Sequence, residues 1–283
     1  MDTDNHSSQQ KQASRLVDVE FVENGQCHHM QDHVALECPV ALEFNGISHA
    51  VMLVTPTDLE DLALGFALSE RIVDEVSQIY DTEVMRSADG VTVAIEIASV
   101  CFAGLKDKRR NMTGRTGCGL CGTETLTQVL RPMQALAPSP LKLGANSIEA
   151  ALQDLRHHQI LQQSTGATHA AAWFNLAGEF QLMREDVGRH NALDKLIGAG
   201  LRSGRADWRE GFLVVTSRAS MEMVQKAIIA GFHFLVAISA PTSLAIELAQ
   251  DHGLCLIGFA RPGKWTIYSH AEKLQQSEQS CTT

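Results

Sequence analysis

The second half of the chain alternates short apolar runs with helix-patterned segments, and no other feature constrains its fold as much. Phe212-Leu213-Val214-Val215-Thr216, Phe234 to Ile238 and Leu254-Cys255-Leu256-Ile257-Gly258-Phe259 are apolar almost throughout, not at every second residue. A strand wetted on one face alternates in polarity, whereas one covered on both faces does not. Met221 to Ala230 and Leu244 to His252 lie between these runs with helical spacing, the second stopped at Gly253. Buried strands joined by helices predict parallel βαβ units with a helical layer on each side of one sheet. Earlier in the same half, Asn146-Ser147-Ile148-Glu149 opens a helix to about Gln163. Thr168 to Leu176 and Phe180 to Arg184 have strand character. Gly188 to Gly200 is a helix with Leu193, Leu196, Ile197 and Leu201 on its buried side.

The first third reads differently, as a small α+β unit. Arg15 to Gln26 and Val34 to Phe44 are strand-like. Asn45-Gly46 suits the positive φ angles of a type I′ turn and leads into Ile47 to Val54. Thr57-Asp58-Leu59-Glu60 has the form of a capping box, and Leu59, Leu62, Ala63 and Phe66 then recur at helical spacing to about Arg71. Strands Ile79 to Met85 and Val91 to Ile97 follow, joined near Asp89-Gly90. From Ala98 to Thr116 the pattern dissolves into a long polar, basic loop, of the kind that is often functional. Thr123 to Leu130 reads as a short helix, and Pro132 with Pro138-Ser139-Pro140 as a hinge. The division expected is a polar tail over 1–14, an α+β domain over 15–98, a basic loop, short helix and linker over 99–145, and an α/β domain over 146–283.

Composition narrows the function. No apolar run is long enough to span a membrane, and the polar start lacks the hydrophobic core of a signal peptide. Seven cysteines, scattered apart from one pair, do not resemble a secreted disulfide framework, so a reducing cytoplasm is the expected setting. The net charge of -10 argues against a general nucleic-acid binder. It leaves room for a local basic pocket, for which Lys106, Lys108, Arg109, Arg110 and Arg115 are concentrated enough; a solvated basic loop fits the same residues equally well.

The cysteine pair lies in Gly117-Cys118-Gly119-Leu120-Cys121-Gly122, after those cations and before the Thr123 helix. Nearby cations and a helix N-terminus both favour the thiolate, and flanking glycines allow close approach. A structural zinc site needs four ligands, so one pair would require a distant partner, for which His28-His29 has no diagnostic spacing, or a second subunit. A zinc deaminase needs His-x-Glu and Pro-Cys-x-x-Cys, yet Ala170-Ala171 follow His169 and Gly117 stands where proline is required. A thioredoxin-like exchanger would have a strand before the pair. A cysteine that carries sulfur as a persulfide fits an exposed thiolate on a basic loop with a docking site for the acceptor.

Such a docking site is expected beyond the carboxyl ends of the parallel strands. Three ends carry small, polar or cationic residues: Ser217-Arg218-Ala219-Ser220, Ser239-Ala240-Pro241-Thr242-Ser243 and Ala260-Arg261-Pro262-Gly263-Lys264. Each alone suits a helix cap or turn; together they predict a site for a phosphorylated or carboxylated ligand. No Walker or dinucleotide-binding glycine pattern occurs. Arg184-Glu185-Asp186-Val187-Gly188-Arg189-His190-Asn191 reads either as a capped helix start with solvated charges or as Arg189 and His190 projecting into that cleft. Thr168-His169 leaves the same two readings open.

Taken together, Arg115 to Gly122, Thr168-His169-Ala170-Ala171, Arg184 to Lys195, Thr216 to Ser220 with Glu222-Met223-Val224, and Gly258 to Lys264 resemble the formate dehydrogenase accessory sulfurtransferases (FdhD). The resemblance spans roughly Leu16 to Tyr268; Ser164-Thr165-Gly166-Ala167 departs from it, lacking a glycine that many relatives carry. It implies a cytoplasmic homodimer with a C-terminal α/β domain of cytidine-deaminase-like fold without the zinc ligands. It implies a sulfurtransferase that receives persulfide sulfur from a cysteine desulfurase. The sulfur passes to the molybdenum of a Mo-bis(molybdopterin guanine dinucleotide) cofactor destined for formate dehydrogenase, with GDP-like nucleotides as mimics of its ends. The resemblance places the persulfide on Cys118, with Cys121 as relay, and the cofactor-binding segment on Phe259, Ala260, Arg261, Pro262, Gly263 and Lys264. Ser217, Arg218 and His169 are added from the loop-end reading, and no resident metal is expected. Two other classes fit the residues: a cofactor chaperone that moves no sulfur, and a zinc-bridged adaptor dimer.

Overall fold

The structure, a computed structural model, describes residues 13–110, 133–204 and 207–275, without the side chains of 107–110. Cys118 and Cys121, Arg115, the expected helix from Thr123 and the tail before Ala13 lie outside the described residues.

The chain opens with a ribbon. β1 (Ser14–Glu23) and β2 (Gln26–Ala35) pair antiparallel residue for residue about Asn24 (φ 51°) and Gly25 (φ 80°). The sequence reading ran the first strand through this turn and began the next only at Val34. His28-His29 and Gln31-Asp32-His33 lack the apolar alternation that marks a strand, because most of the ribbon is solvated on both faces. β3 (Cys38–Phe44) and β4 (Ile47–Val54) form the expected hairpin about Asn45-Gly46, both at positive φ. With β5 (Ile79–Ser87) and β6 (Gly90–Ile97) they make a sheet in the order β4-β3-β6-β5. Helix α1 (Leu59–Ser69) packs on it, and Leu62, Phe66, Val40, Leu42, Phe44, Val93 and Ile95 close this core.

Two expectations here are corrected. The capping box does not form: Asp58 precedes α1 in the left-handed region (φ 54°) and no side chain caps the helix. Asp58 instead faces Arg184 at 3.5 Å, and Glu60 lies 4.0 Å from Arg202. Tertiary ion pairs have taken both carboxylates. The expected loop from Ala98 is helix α2 (Ser99–Arg110). Cys101 and Phe102, with Leu105 one helical turn further on, pack on the first core, and Lys106 lies 4.3 Å from the Phe102 ring centre. Lysine and arginine are good helix formers and suit a helix C-terminus, so the basic run extends the helix.

The second half builds a six-stranded sheet. Helices α3 (Ala145–His158) and α4 (Ile160–Thr165) replace the single expected helix, breaking at Gln159. β7 (His169–Asn175), β8 (Phe180–Asp186), α5 (Arg189–Ser203), β9 (Gly211–Val215), α6 (Met221–Ala230), β10 (Phe234–Ala237), α7 (Ser243–His252), β11 (Cys255–Arg261) and β12 (Lys264–Ser269) follow. The order is β12-β11-β10-β9-β7-β8. The predicted parallel core is β9, β10 and β11; β7, β8 and β12 join it antiparallel. β12 was missed because its side chains are largely exposed, and Arg261 to Lys264 is therefore a hairpin turn. On one face α5, α6 and α7 bury Leu193, Leu196, Val224 and Ala249 against Leu213, Val215 and Leu235. On the other, α3 buries Ile148, Leu152 and Leu155 against Phe212, Val214 and Phe234. Each such side chain contributes roughly 1.5–3 kcal/mol.

The two cores meet where α1 crosses α5 at two glycines. A Cβ on Gly65 would lie 1.7 Å from the Asp194 carbonyl oxygen, and one on Gly198 1.8 Å from that of Asp61. Backbone touches backbone there, and only glycine fits.

Candidate functional site at the carboxyl edge of the sheet

Because β7 runs against β9, its first residues arrive where the parallel strands end. Thr216 clamps them: its Oγ1 accepts from Ala170 N at 2.9 Å and its N donates to Ala170 O at 3.0 Å. The loops after β9 and β10 are joined as well, Ala219 N donating to Ala240 O (3.2 Å) and Thr242 N to Ala219 O (3.1 Å). Phe259 N donates to Ser239 O at 3.1 Å. The loop ends that sequence reading grouped are thus one connected edge.

A cleft of about 780 Å³ opens between this edge and the α3–α4 break, lined among others by Arg156, Gln159, Gln162, His169, Ala260 and Arg261. It brings together His169, Ala260, Arg261 and Pro262 of the residues expected to bind ligand. Phe259, Gly263 and Lys264 are exposed beside it, in the same strand end and turn, but do not line it. Ser217 is buried and turned aside, its hydroxyl donating to Arg218 O at 3.0 Å; Arg218 is exposed and also outside the lining. Arg261 Nη1 donates to Ile238 O and to Ala260 O, which holds the guanidinium at the rim. Gly263 N donates to Glu149 Oε2 at 2.7 Å and ties the turn to α3.

Arg156, Gln159 and Gln162 were missed by sequence reading. Their signal is the break at Gln159, invisible in a segment read as one helix. Glu185 shapes that wall: its carboxylate accepts from Leu161 N (2.8 Å), Gln162 N (2.9 Å) and Thr168 Oγ1 (3.0 Å). Burial pushes its pKa up despite these bonds. Burial, with the Arg189 charge, pushes the His169 pKa down against the pull of Asp186, so this imidazole is neutral at neutral pH. Two arginines, three amide or imidazole side chains and a neutral floor suit an anionic ligand with a polar ring or amide.

The charged segment from Arg184 to Lys195 does mostly something else. Asp186 Oδ2 lies 2.6 Å from Lys195 Nζ, both fully buried, and accepts from Thr55 N at 3.1 Å. Lys195 also donates to Thr55 O at 2.8 Å, and Asn191 Nδ2 to Leu53 O at 2.9 Å. Arg184 bonds Asp61 at 2.8 Å, and Asp194 bonds Ser69 at 2.6 Å and Lys226 at 2.9 Å. Six residues of this segment are therefore structural: five hold the α+β unit to the sheet, and Glu185 fixes the wall of the cleft.

Three of the described thiols are ill suited to transfer. Burial pushes the Cys255 thiol up to about 12 and raises those of Cys38 and Cys101. Cys27 is exposed on the ribbon. Among the described residues no three His, Cys, Asp or Glu side chains converge as a metal site, and no helix is long and apolar enough to cross a membrane.

Residues 35–275 match the FdhD/NarQ family. The chain is 55% identical over 243 residues to the sulfur carrier protein FdhD of Bordetella bronchiseptica, covering 86% of this chain and 87% of that one. It is 54% identical over 244 residues to the protein so named in Cupriavidus necator (86% and 84% covered), and 51% identical over 262 residues to that of Variovorax paradoxus (93% and 94%). A crystal structure described as a formate dehydrogenase accessory protein, from Desulfotalea psychrophila, superposes with a TM-score of 0.73 over 93% of this chain and 100% of that one, at 24% identity.

Proposed function

The chain belongs to the FdhD/NarQ family, and from that premise we propose that it is a sulfurtransferase that carries persulfide sulfur to a molybdenum cofactor for formate dehydrogenase. The Cys118 thiolate attacks the outer sulfur of a cysteine desulfurase persulfide; the S–S bond of the donor breaks, the donor thiolate leaves and the persulfide forms on Cys118. Cys121 is the relay. The cargo is Mo-bis(molybdopterin guanine dinucleotide). The cleft under Arg156 and Arg261 takes a phosphorylated guanine nucleotide end, with Gln159 and Gln162 offering amides to the base. Binding energy from that remote end fixes the metal near the persulfide, a gain of orientation with no acid–base step. The protein acts in the cytoplasm as a homodimer, meeting desulfurase and formate dehydrogenase in turn.

The observation that carries the ligand half of this reading is the convergence of His169 and Arg261 on one cleft beside the exposed 259–264 turn. The sulfur half rests on the relatives and on Cys118-Gly119-Leu120-Cys121; among the described thiols, burial raises the pKa of Cys38, Cys101 and Cys255. The test is mass spectrometry of the Cys118–Cys121 peptide after incubation with a desulfurase and cysteine. One added sulfur, lost in Cys118→Ala while GDP binding persists, supports the reading. No added sulfur, with formate dehydrogenase still activated by a variant lacking both thiols, would leave a cofactor chaperone.

A further inference from the structure

The four-stranded sheet of the first unit is covered on one face only. Its inward side chains, among them Val40, Phe44 and Val93, pack under α1. The alternate residues point to the other face and cross it in rows set by the strand register. Leu53 lies opposite Pro39, and Val51, Ala41, Thr92 and Met85 form the next row across all four strands. Val51 and Leu53 are each 56% exposed and Met85 is 42% exposed, so among the described residues no element covers this half.

The other half of the face is acidic. The third row runs Glu43, Ala94, Glu83, and beyond it Asp81 sits opposite Glu96. Like charges facing each other across a strand pair are destabilising. Asp81 accepts from Thr82 N at 2.8 Å, a bond to its own chain neighbour, and among the described residues none of these four carboxylates is in an ion pair. The carboxylates of the α1–α5 junction are the reverse case, with Asp61, Asp186 and Asp194 each held by a lysine or arginine. An exposed apolar patch bordered on one side by unpaired charge is the form of a docking surface, and its charge selects a basic partner. A second copy pairing through this same face would bring no cation to it, since no lysine or arginine lies in these rows.

Position narrows the partner further. β6 leaves the sheet at the acidic end and runs almost at once into α2. Cys118 is eight positions beyond Arg110, the last residue of α2, a reach of at most about 28 Å. A protein held on this face is therefore brought to the unit that carries the cysteine pair, whereas the Arg261 cleft belongs to the other sheet. That placement suits the protein that delivers sulfur better than the ligand that receives it.

We propose that the outer face of the β4-β3-β6-β5 sheet docks the sulfur donor through a donor surface with an apolar centre edged by lysine or arginine. This rests on the reading of the chain as a persulfide acceptor and adds where its donor binds.

The test titrates the full chain with a cysteine desulfurase by calorimetry at low and high salt. Asp81→Lys with Glu83→Lys should weaken binding at least tenfold and flatten its salt dependence, with GDP affinity kept. The same variant should melt at or above the wild-type temperature, because the repulsion between Asp81 and Glu96 is gone. Leu53→Ser leaves the charges alone, carries the same test to the apolar half and should weaken binding by a similar factor. Wild-type affinity in these folded variants overturns the proposal; sulfur still gained on Cys118 would then mean that the acceptor reading stands and the donor docks elsewhere. A wild-type chain that neither binds the desulfurase nor gains sulfur overturns both. Loss of a dimer in the variants by sedimentation, with desulfurase affinity kept, would make the face a contact between copies and overturn the proposal as well.

Discussion

The segment from Arg184 to Lys195 and the edge from Phe259 to Lys264 look alike in sequence, each mixing glycine with cationic side chains beside a buried strand. In the fold they are opposites. The first is largely buried, and six of its side chains are paired in structural bonds, most of them to the α+β unit, as in Asp186–Lys195–Thr55 and Asp194–Ser69–Lys226. The second is exposed at five of its six positions, and its bonds to the protein come from Arg261 and the backbone. Charge density marks both equally. What separates a latch from a ligand site is whether the fold already satisfies the charges.

Breaking the latch at its backbone contact should have the largest effect. Gly198→Val must force a side chain against the Asp61 carbonyl, 1.8 Å from the new Cβ. We expect a loss above about 4 kcal/mol in urea unfolding, enough to prevent isolation of a folded chain. A variant with wild-type stability would mean that α1 and α5 are not in backbone contact.

Removing one half of the buried pair comes next. Lys195→Met leaves Asp186 charged and unpaired in the core and should cost about 3–5 kcal/mol. The double change Lys195→Met with Asp186→Leu should recover part of that loss, because the stranded charge is gone. No recovery would assign the cost to the lost bonds to Thr55.

His190 provides a pH test of the same corner. Its folded pKa of about 4 lies below the ordinary value of 6.5. The folded state therefore binds fewer protons than the unfolded chain between these values. Its contribution to stability is complete above pH 6.5, declines as pH falls, and levels off below about pH 4, a span on the order of 3 kcal/mol. His190→Gln should flatten that part of the pH–stability curve relative to wild type. Identical slopes would place the ring in water.

At the open edge the expected effect is on binding, with stability unchanged. Arg261→Ala with Lys264→Ala should weaken GDP by about tenfold, roughly 1.4 kcal/mol by calorimetry. Unchanged affinity would move the ligand away from the 259–264 turn.

The parallel core, α6 and the Asn45-Gly46 hairpin were legible because each is set by local pattern: apolar runs, helical spacing, a turn dipeptide. The edge ligands were partly legible, since strand ends in such sheets face ligands whatever their sequence. The latch was not. Nothing in the 184–195 segment says that its partners are Thr55, Ser69 and Asp61, more than a hundred residues away, and a charged segment before a helix reads as surface. α2 was lost for a related reason: Gly104 and the basic run conceal a helix whose buried face is only Cys101, Phe102 and Leu105.

The smallest expected effect concerns the place where local pattern misled. Thr57-Asp58-Leu59-Glu60 has the letters of a capping box, and a working cap is worth about 0.5–2 kcal/mol. Here the residue before α1 is Asp58, left-handed and without a cap bond, and Glu60 points to Arg202. Thr57→Val keeps the shape of the side chain and removes only the hydroxyl. It should change stability by less than about 0.5 kcal/mol in urea, because no helix N–H depends on that oxygen. A loss above 1 kcal/mol would show that Thr57 caps α1 in solution. The comparison would then shift: the start of α1 would be held by its own sequence, and Arg184 would have Asp61 as its single firm partner across the junction.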